Sequence, residues 1–231
     1  MKYRLESHRN GQFLFENHPD FTDDWDSMRS VLDAISDEDL VAVHALARQK
    51  RPNCKSLSDA INGLLRARLD EARWERESAI FSDPAYSKRT ETRWRLDFAS
   101  QSMAVEVAFN HGEAIAWNLL KPVLSAELNH VAKARQTRAG VVIAVTAAMK
   151  KAGNFDGAVG TFEKFIRYLN PMMNLLTIPM VIVGLDAPES FVIGHAGPSR
   201  GEVQLLPPKD RDSQVDLLAA EDTGQYGDSV S

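Results

Sequence analysis

The chain has little cysteine and no long apolar segment. Its 231 residues include one cysteine, Cys54, so an internal disulfide is excluded and a reducing compartment is the expected setting. No apolar run approaches the roughly 20 residues that a membrane-spanning helix needs. The N-terminus, Met-Lys-Tyr-Arg-Leu-Glu, lacks the apolar core of a signal peptide. We therefore expect a soluble, cytoplasmic protein with no membrane partner.

An excess of positive charge is also missing. The chain has 27 Lys and Arg against 32 Asp and Glu, a net charge of −5, so its overall charge does not indicate a nucleic-acid-binding protein. Its basic residues are grouped instead: Lys88, Arg89, Arg93 and Arg95; Lys133, Arg135 and Arg138; Lys150 and Lys151. Each group alone is typical of a solvated face, but together they favour a phosphate-bearing substrate.

The hydrophobic periodicity predicts helices first and then alternating strands and helices. The predicted helices are near 24–35, over 37–50 with Ser36 as the cap, over 57–77, over about 115–136 around Pro122, and from Val159 to Leu169. The predicted strands are a hairpin within 94–109, buried strands at 140–147 and 178–185, and short strands at 191–194 and 202–206. This order indicates an α/β fold, with a mixed central β-sheet flanked by helices on both faces.

The composition predicts one domain over residues 1–210. Within it, a helical N-terminal part covers 1–80 and a core covers 81–186. Residues 211–231 lose hydrophobic periodicity and gain Gly, Ser and Asp, so we expect a mobile C-terminal tail there.

Two carboxylates in the predicted hairpin are the most informative residues. A short turn at Gln101-Ser102 would pair Phe98 with Val105 and Asp97 with Glu106. Like charges that face each other across two strands are destabilising, and a divalent cation would remove the conflict. Mg²⁺ suits such a pair because it binds one or two carboxylates together with a substrate phosphate. The alternative is that both acids face solvent and repel each other weakly.

The hairpin and the segments after it resemble a known family. The stretches are Leu-Asp-Phe (96–98), Val-Glu-Val-Ala-Phe-Asn-His (105–111), Leu-Ser-Ala-Glu-Leu-Asn-His (124–130), Gly-Val-Val-Ile (140–143) and Ile-Pro-Met-Val-Ile-Val-Gly-Leu (178–185). In this order they resemble the BglII/BstYI-type restriction endonucleases, a branch of the PD-(D/E)XK nuclease superfamily. The resemblance covers roughly residues 57 to 186, and it implies a restriction-endonuclease-like fold.

The resemblance implies roles for three acids. Asp97 and Glu106 would be catalytic residues that bind the metal, and Glu77 would be a third catalytic acid, because the family places an acid or amide on a helix shortly after a tryptophan, here Trp74. Glu71 and Glu75 compete with Glu77 for that role. The chain departs from the family at Ala108, where the superfamily usually has Lys and this branch has Gln or Glu. Asn110, Glu113, Glu127 or a lysine from a neighbouring element could supply the missing group.

The resemblance also implies contacts with DNA. Asn110 and His111 follow the second hairpin strand, where related enzymes direct side chains toward the bases, and both can read base edges. Asn154 and Asp156, in the glycine-containing loop before the last predicted long helix, are a second pair of candidates. Turn formation explains each of these residues equally well.

The implied function is that of a Mg²⁺-dependent type II restriction endonuclease. It would cut double-stranded DNA at a short palindromic site and leave 5′-phosphates, as a homodimer whose interface could use the helices at 57–77 and 115–136. A DNA methyltransferase would be its genetic partner. The open alternatives are a repair or structure-specific nuclease, an inactive DNA-binding relative that results from Ala108, and, with weaker support, a glycosidase-like use of the two acids.

Overall fold

A central mixed sheet organises the molecule. The computed structural model describes residues 1–207 except Arg89, Leu128 and Asn129. Within these residues six strands form the main sheet, and two more form a separate hairpin. The strands are β1 (Tyr3–His8), β2 (Glu75–Ala79), β3 (Arg95–Ala99), β4 (Met103–Val107), β5 (Ala139–Val145), β6 (Met180–Leu185), β7 (Phe191–Ile193) and β8 (Val203–Leu205).

Helices cover both faces of this sheet. They are α1 (Gly11–Asn17), α2 (Thr22–Asp33), α3 (Asp37–Lys50), α4 (Ser58–Glu71), α5 (Pro84–Ser87), α6 (Ile115–Ala126), α7 (Ala147–Ala152) and α8 (Phe162–Leu169). The main apolar cluster joins side chains of α1, α2 and α4 to one face, and a second cluster joins α6 and α8 to residues that include Val142 and Ile182. The predicted class, a mixed sheet with helices on both faces, is confirmed.

The strand order is β1-β6-β5-β4-β3-β2. The central strands β4, β5 and β6 are parallel, and the strands on either side of them are antiparallel. Every residue of β5 and β6 is buried, as their continuous apolar sequences predict for strands covered on both faces. Both edge strands come from the first 80 residues of the chain.

The N-terminal part contains more strand than the sequence indicated. Helices α2 and α3 lie where they were predicted, and Ser36 and Asp39 form the expected capping box. Strand β1 and helix α1 were not predicted. The six residues of β1 are largely polar and pair with β6, so that Tyr3 lies opposite Leu185. Because the two strands are so far apart in sequence, no local sequence pattern predicts their pairing.

Helix α4 ends earlier than predicted, and this moves Glu77 onto a strand. Arg73 adopts a left-handed conformation with φ of 65°, and Trp74 N–H donates to the Leu69 carbonyl. These are features of a Schellman cap, in which glycine is the usual left-handed residue. Because the sequence has arginine there, the stop signal was missed. Strand β2 follows, so the predicted helix over 57–77 is wrong in its last turns.

The hairpin of β3 and β4 has the predicted register next to its turn, although the ladder of described pairs ends before the predicted Asp97–Glu106 pair. Phe98 pairs with Val105, and Ala99 pairs with Ala104. Asp24 of α2 fixes the turn, because its Oδ2 accepts hydrogen bonds from the hydroxyl of Ser100 at 2.6 Å and from the backbone N–H and hydroxyl of Ser102.

The apolar side chains of β3 do not share one face, although regular alternation would place Leu96 and Phe98 together. Leu96 packs in a small cluster with Ala104 and Leu124, whereas Phe98 joins the main cluster. The alternation of β3 is therefore broken at Asp97.

Helix α6 ends at Ala126, ten residues before its predicted end. The segment after it runs beside Ile80 to Ser82 instead, with Ser82 N–H donating to the Ala132 carbonyl and Ala134 N–H donating to the Ile80 carbonyl. This pairing with the distant segment replaces helical hydrogen bonds. Leu124 and Val131 pack against a small apolar cluster that includes Ile80 and Phe81.

Pro122 lies inside α6 and packs closely on the sheet. A Cβ atom built at Gly140 of β5 would lie 2.7 Å from the Pro122 Cβ atom, so glycine permits this approach. The contact sets the height of α6 above β5.

The remaining short strands also match their predictions. Strands β7 and β8 pair as a separate antiparallel hairpin. Within the part of the chain that the structure describes, no helix has the length and apolar character that crossing a lipid bilayer requires. The predicted tail at 211–231 lies outside the described residues.

Candidate active site

Asp97 lies at the centre of the candidate site. It is in the middle of β3, with β4 on one side and β2 on the other. Its Oδ2 atom accepts a hydrogen bond from the Val107 backbone N–H at 2.7 Å. The Asp97 side chain thus accepts a backbone N–H group of β4 just beyond the Phe98–Val105 pair. The half-buried carboxylate is held against the neighbouring strand.

Glu106 lies on β4 and is almost completely buried. Its side chain is 1% exposed, and its Oε2 forms an ion pair with the Nζ of Lys121 of α6. Its Oε1 is buried and has no hydrogen-bond partner within the described part of the chain. Lys121 is itself 8% exposed, and its Nζ also donates to the Arg95 carbonyl at 3.2 Å. A buried carboxylate with one unsatisfied oxygen is costly unless another group binds it.

Burial disfavours the charged forms of both acids, and the nearby Asp97 carboxylate adds to this effect on Glu106. Burial raises the pKa of Glu106 well above its ordinary value, and the nearby Asp97 raises it further, while Lys121 acts in the opposite direction. Burial also raises the pKa of Asp97, which the Val107 N–H and Lys121 partly offset. A cation that bound both carboxylates would relieve this conflict.

Glu77 reaches the same region from β2 rather than from a helix. It lies across from Asp97 in the β2–β3 register and has a left-handed backbone with φ of 49°. For a residue other than glycine this conformation costs roughly 1–2 kcal/mol, and such strain is frequent at functional sites. Glu77 also raises the pKa of Asp97, which shows that their charges interact.

The three acids therefore come from three neighbouring strands. Among the described residues, however, no group of three or more His, Cys, Asp or Glu side chains is arranged to hold a metal ion. Asp97 and Glu106 are the closer match to a metal-binding pair.

A cavity of about 270 Å³ opens in front of Asp97. Three polar residues of α4 line one wall, Ser58, Asn62 and Arg66, which are spaced four residues apart and so share one helix face. The other lining residues are Arg76, Glu77, Asp97, Phe98, Val107, Phe109 and Asn110. The exposed Arg66 lies close enough to lower the pKa of Asp97. The cavity thus combines carboxylates with an arginine.

Two of the four predicted DNA-contacting residues lie beside each other outside this cavity. His111 Nε2 is 3.9 Å from Asp156 Oδ1, and both side chains are exposed. Asn110, which lines the cavity, accepts a hydrogen bond from Asn118 of α6 at 2.9 Å. Asn154 donates from its amide to the carbonyls of Lys55 and Gly194. That side chain connects loops, which favours the turn interpretation for Asn154.

Several predicted basic groups contact other parts of the protein. Arg135 pairs with Glu75, and Arg138 pairs with Asp20. Lys133 lies over the Phe81 ring, 4.6 Å from its centroid. Arg95 donates to the carbonyls of Glu77 and Ser87. These side chains have structural partners, whereas Arg89 lies outside the described residues.

The candidates for the group missing at Ala108 lie in different places in the structure, and only some of them are near the acids. Glu113 lines a different cavity with Lys164 and Tyr168, and Glu127 bonds the Thr177 hydroxyl. Asn110 lines the cavity, and Lys121 contacts Glu106. Lys121 and Arg66 were not predicted as site residues from the sequence. The available signal for Arg66 was the four-residue spacing of Ser58, Asn62 and Arg66 on a predicted helix. The signal for Lys121 was its place as a lone lysine in an apolar helix.

Comparisons with known proteins identify the family of the chain. The family model described as restriction endonuclease BglII/BglIII matches residues 3–185. A crystal structure of restriction endonuclease BglII complexed with a DNA 16-mer is similar, with a TM-score of 0.59 and 16% identity over 83% of this chain and 80% of that chain. A crystal structure of free BglII has a TM-score of 0.50 and 15% identity, with 83% of each chain covered. Curated protein sequences give no significant match.

The family match, which spans most of the chain, defines the class of protein as a restriction endonuclease. The chain belongs to the BglII/BglIII restriction endonuclease family, and it is a type II site-specific deoxyribonuclease. The structural likeness at this low identity shows the fold alone.

Proposed function

We propose that this enzyme hydrolyses phosphodiester bonds of double-stranded DNA at a short palindromic site, depends on Mg²⁺, and leaves 5′-phosphate ends. The observation that carries the proposal is the pair of interacting carboxylates, buried Glu106 and half-buried Asp97, of which Asp97 lines a cavity together with Arg66. Membership of the family supports DNA as the substrate, and a DNA-bound BglII structure shares the fold.

The residues fit a divalent cation. The donors are carboxylate oxygens, and Glu106 Oε1 is a buried acceptor that finds no hydrogen-bond donor in residues 1–207 as described. Two carboxylates suffice for Mg²⁺, which keeps several waters and binds a substrate phosphate. When bound, the ion would lower the pKa of a water molecule and neutralise charge on the phosphate.

The chain's own side chains would prepare the site for the reaction. The Val107 N–H and Lys121 hold the two carboxylates in place, while Arg66 offers a charged donor for a phosphate next to the cleaved bond. Asn110, His111 and Asp156 remain the candidates for base contacts, and Glu77 remains a candidate third catalytic acid. Burial of Glu106 keeps bulk water away from it, which strengthens its interaction with a cation.

A palindromic target requires two active sites, so we propose a homodimer that acts in the cytoplasm. The apolar stripes of α4 and α6 pack into the core of the single chain, with Ile61, Leu65 and Leu119 among their buried residues. These stripes are therefore core rather than interface. A cognate DNA methyltransferase is the expected genetic partner, because unprotected host DNA would be cut.

Digestion of a plasmid of known sequence with Mg²⁺ tests the proposal. The parent is expected to give discrete fragments with 5′-phosphate ends, whereas Asp97→Asn and Glu106→Gln should cut at least ~100-fold more slowly, as losses of metal-site residues do. Glu38→Gln, an exposed acid on α3, is the matched control and should cut like the parent. A smear of fragments would favour a nuclease without sequence preference. Full activity of both site variants would rule out this site.

A further inference from the structure

The position that usually carries a polar group in this superfamily is occupied by core packing in this chain. Ala108 is 1% exposed and belongs to the apolar cluster that includes Ile115 and Leu119. A methyl group in this environment can neither bind a water nor hold a metal ligand in place. The group must therefore come from another element.

Helix α6 covers the same face of β4 and brings Lys121 to Glu106. The helix is mostly apolar around this lysine, with Leu120 and Pro122 as its neighbours. A buried ammonium in such surroundings is unfavourable unless a charged partner and further hydrogen bonds compensate it. Lys121 has both, because its Nζ contacts the Glu106 carboxylate and the Arg95 carbonyl.

The geometry divides the two oxygens of Glu106 between two tasks. Lys121 binds Oε2, and Oε1 has no hydrogen-bond partner among the residues that the structure describes. We propose that Lys121 is the positioning residue of this site, which supplies from α6 the group that position 108 lacks. It fixes the Glu106 carboxylate so that its second oxygen stays available to a divalent cation. This inference rests on the proposed function.

A simple counter-charge would have the opposite effect on cation binding. The ammonium repels a cation, so its removal from an otherwise unchanged carboxylate would strengthen cation binding. Removal of a positioning residue weakens cation binding, because outer partners of metal ligands typically contribute 10–100-fold in affinity or activity. The direction of the change therefore separates the two roles.

The experiment compares Lys121→Met, Lys121→Gln and Lys121→Arg with the parent, and uses Lys164→Met on the exposed face of α8 as the matched control. Calcium affinity of the full-length protein without DNA is measured by calorimetry. DNA affinity is measured with Ca²⁺, and single-turnover cleavage with Mg²⁺. Circular dichroism melting identifies variants that do not fold, and Lys121→Gln, which keeps a hydrogen-bond donor, provides the test if Lys121→Met does not fold.

We expect Lys121→Met and Lys121→Gln to bind Ca²⁺ about tenfold or more weakly and to cut at least ~10-fold more slowly, with DNA affinity within about twofold of the parent. Lys121→Arg should retain more of both properties. Unchanged or tighter Ca²⁺ binding in a folded neutral variant would overturn the proposal. A parent that binds Ca²⁺ but does not cut DNA would refute the proposed function instead, and the calcium comparison would still decide the role of Lys121.

Discussion

Gly140→Ala should destabilise the protein by crowding Pro122 and Met180. The new Cβ atom would lie 2.7 Å from the Pro122 Cβ atom and 3.2 Å from the Met180 Cε atom. Carbon atoms prefer roughly 3.5–4.0 Å, so α6 must move by about 1 Å. Overpacking of this kind costs about 1–3 kcal/mol, and the reduced freedom of the unfolded chain returns about 0.4–1 kcal/mol. The net loss should lower the melting temperature by roughly 2–8 °C for a chain of this size.

The same movement should reduce cleavage more than stability alone explains. Lys121 precedes Pro122, so a shift of α6 changes its contact with Glu106. Misplacement by about 1 Å can cost on the order of 100-fold in rate. Thermal melting and single-turnover cleavage at a temperature where the variant is folded measure the two effects. Gly157→Ala is the control, because a Cβ atom there meets nothing within 4 Å. A Gly140→Ala variant that melts and cuts like the parent would show that the Pro122 contact does not position α6.

Two further predictions concern charge. Arg66→Gln should weaken DNA binding in Ca²⁺ and reduce the slope of log affinity against log salt concentration by about 1. The control is Arg51→Gln, which should leave the slope unchanged because the Arg51 side chain pairs with Asp59. Equal slopes for Arg66→Gln and the parent would show that Arg66 does not contact a phosphate. In EDTA, burial raises the folded-state pKa of Glu106 above its ordinary 4.5. Its contribution to stability is therefore full below that value and declines as pH rises toward the folded pKa, by up to about 1.4 kcal/mol per pH unit. Urea unfolding from about pH 5 to pH 8 should show this decline in the parent and less of it in Glu106→Gln, and parallel curves would contradict it.

The sequence predicted those parts of the fold that local patterns encode. Strands β5 and β6 are continuous apolar runs, and Ser36 with Asp39 has the spacing of a capping box. The hairpin register followed from alternation and a short turn, and pairing of Phe98 with Val105 is confirmed. Each of these features depends on residues that are close in sequence.

The missed features depend on distant or unusual partners. At the end of α4, Arg73 adopts a conformation that glycine normally adopts. Strand β1 forms through its pairing with β6, which is distant in sequence. Asp97 and Glu106 were predicted to be neighbours. A lysine from a neighbouring element was among the candidates for the missing group, but its position was not predicted, because Lys121 is 15 residues beyond Glu106 and on another element. Periodicity can place a residue on one face of a helix, but it does not indicate which strand that face covers.

The origin of the two edge strands has a consequence for how the chain folds. Strands β1 and β2 flank the sheet on opposite sides, and both precede the strands that they protect. During synthesis β1 must wait for β6 to emerge, since Tyr3 pairs with Leu185. Pairing over such a sequence distance makes folding slow.

A fragment limited to 81–186 would expose the edges of β3 and β6, which are templates for aggregation. We propose that residues 1–210 fold as one domain for this reason. A nuclease assembled in this order would stay incomplete, and therefore harmless to the DNA around it, until most of its chain had been made.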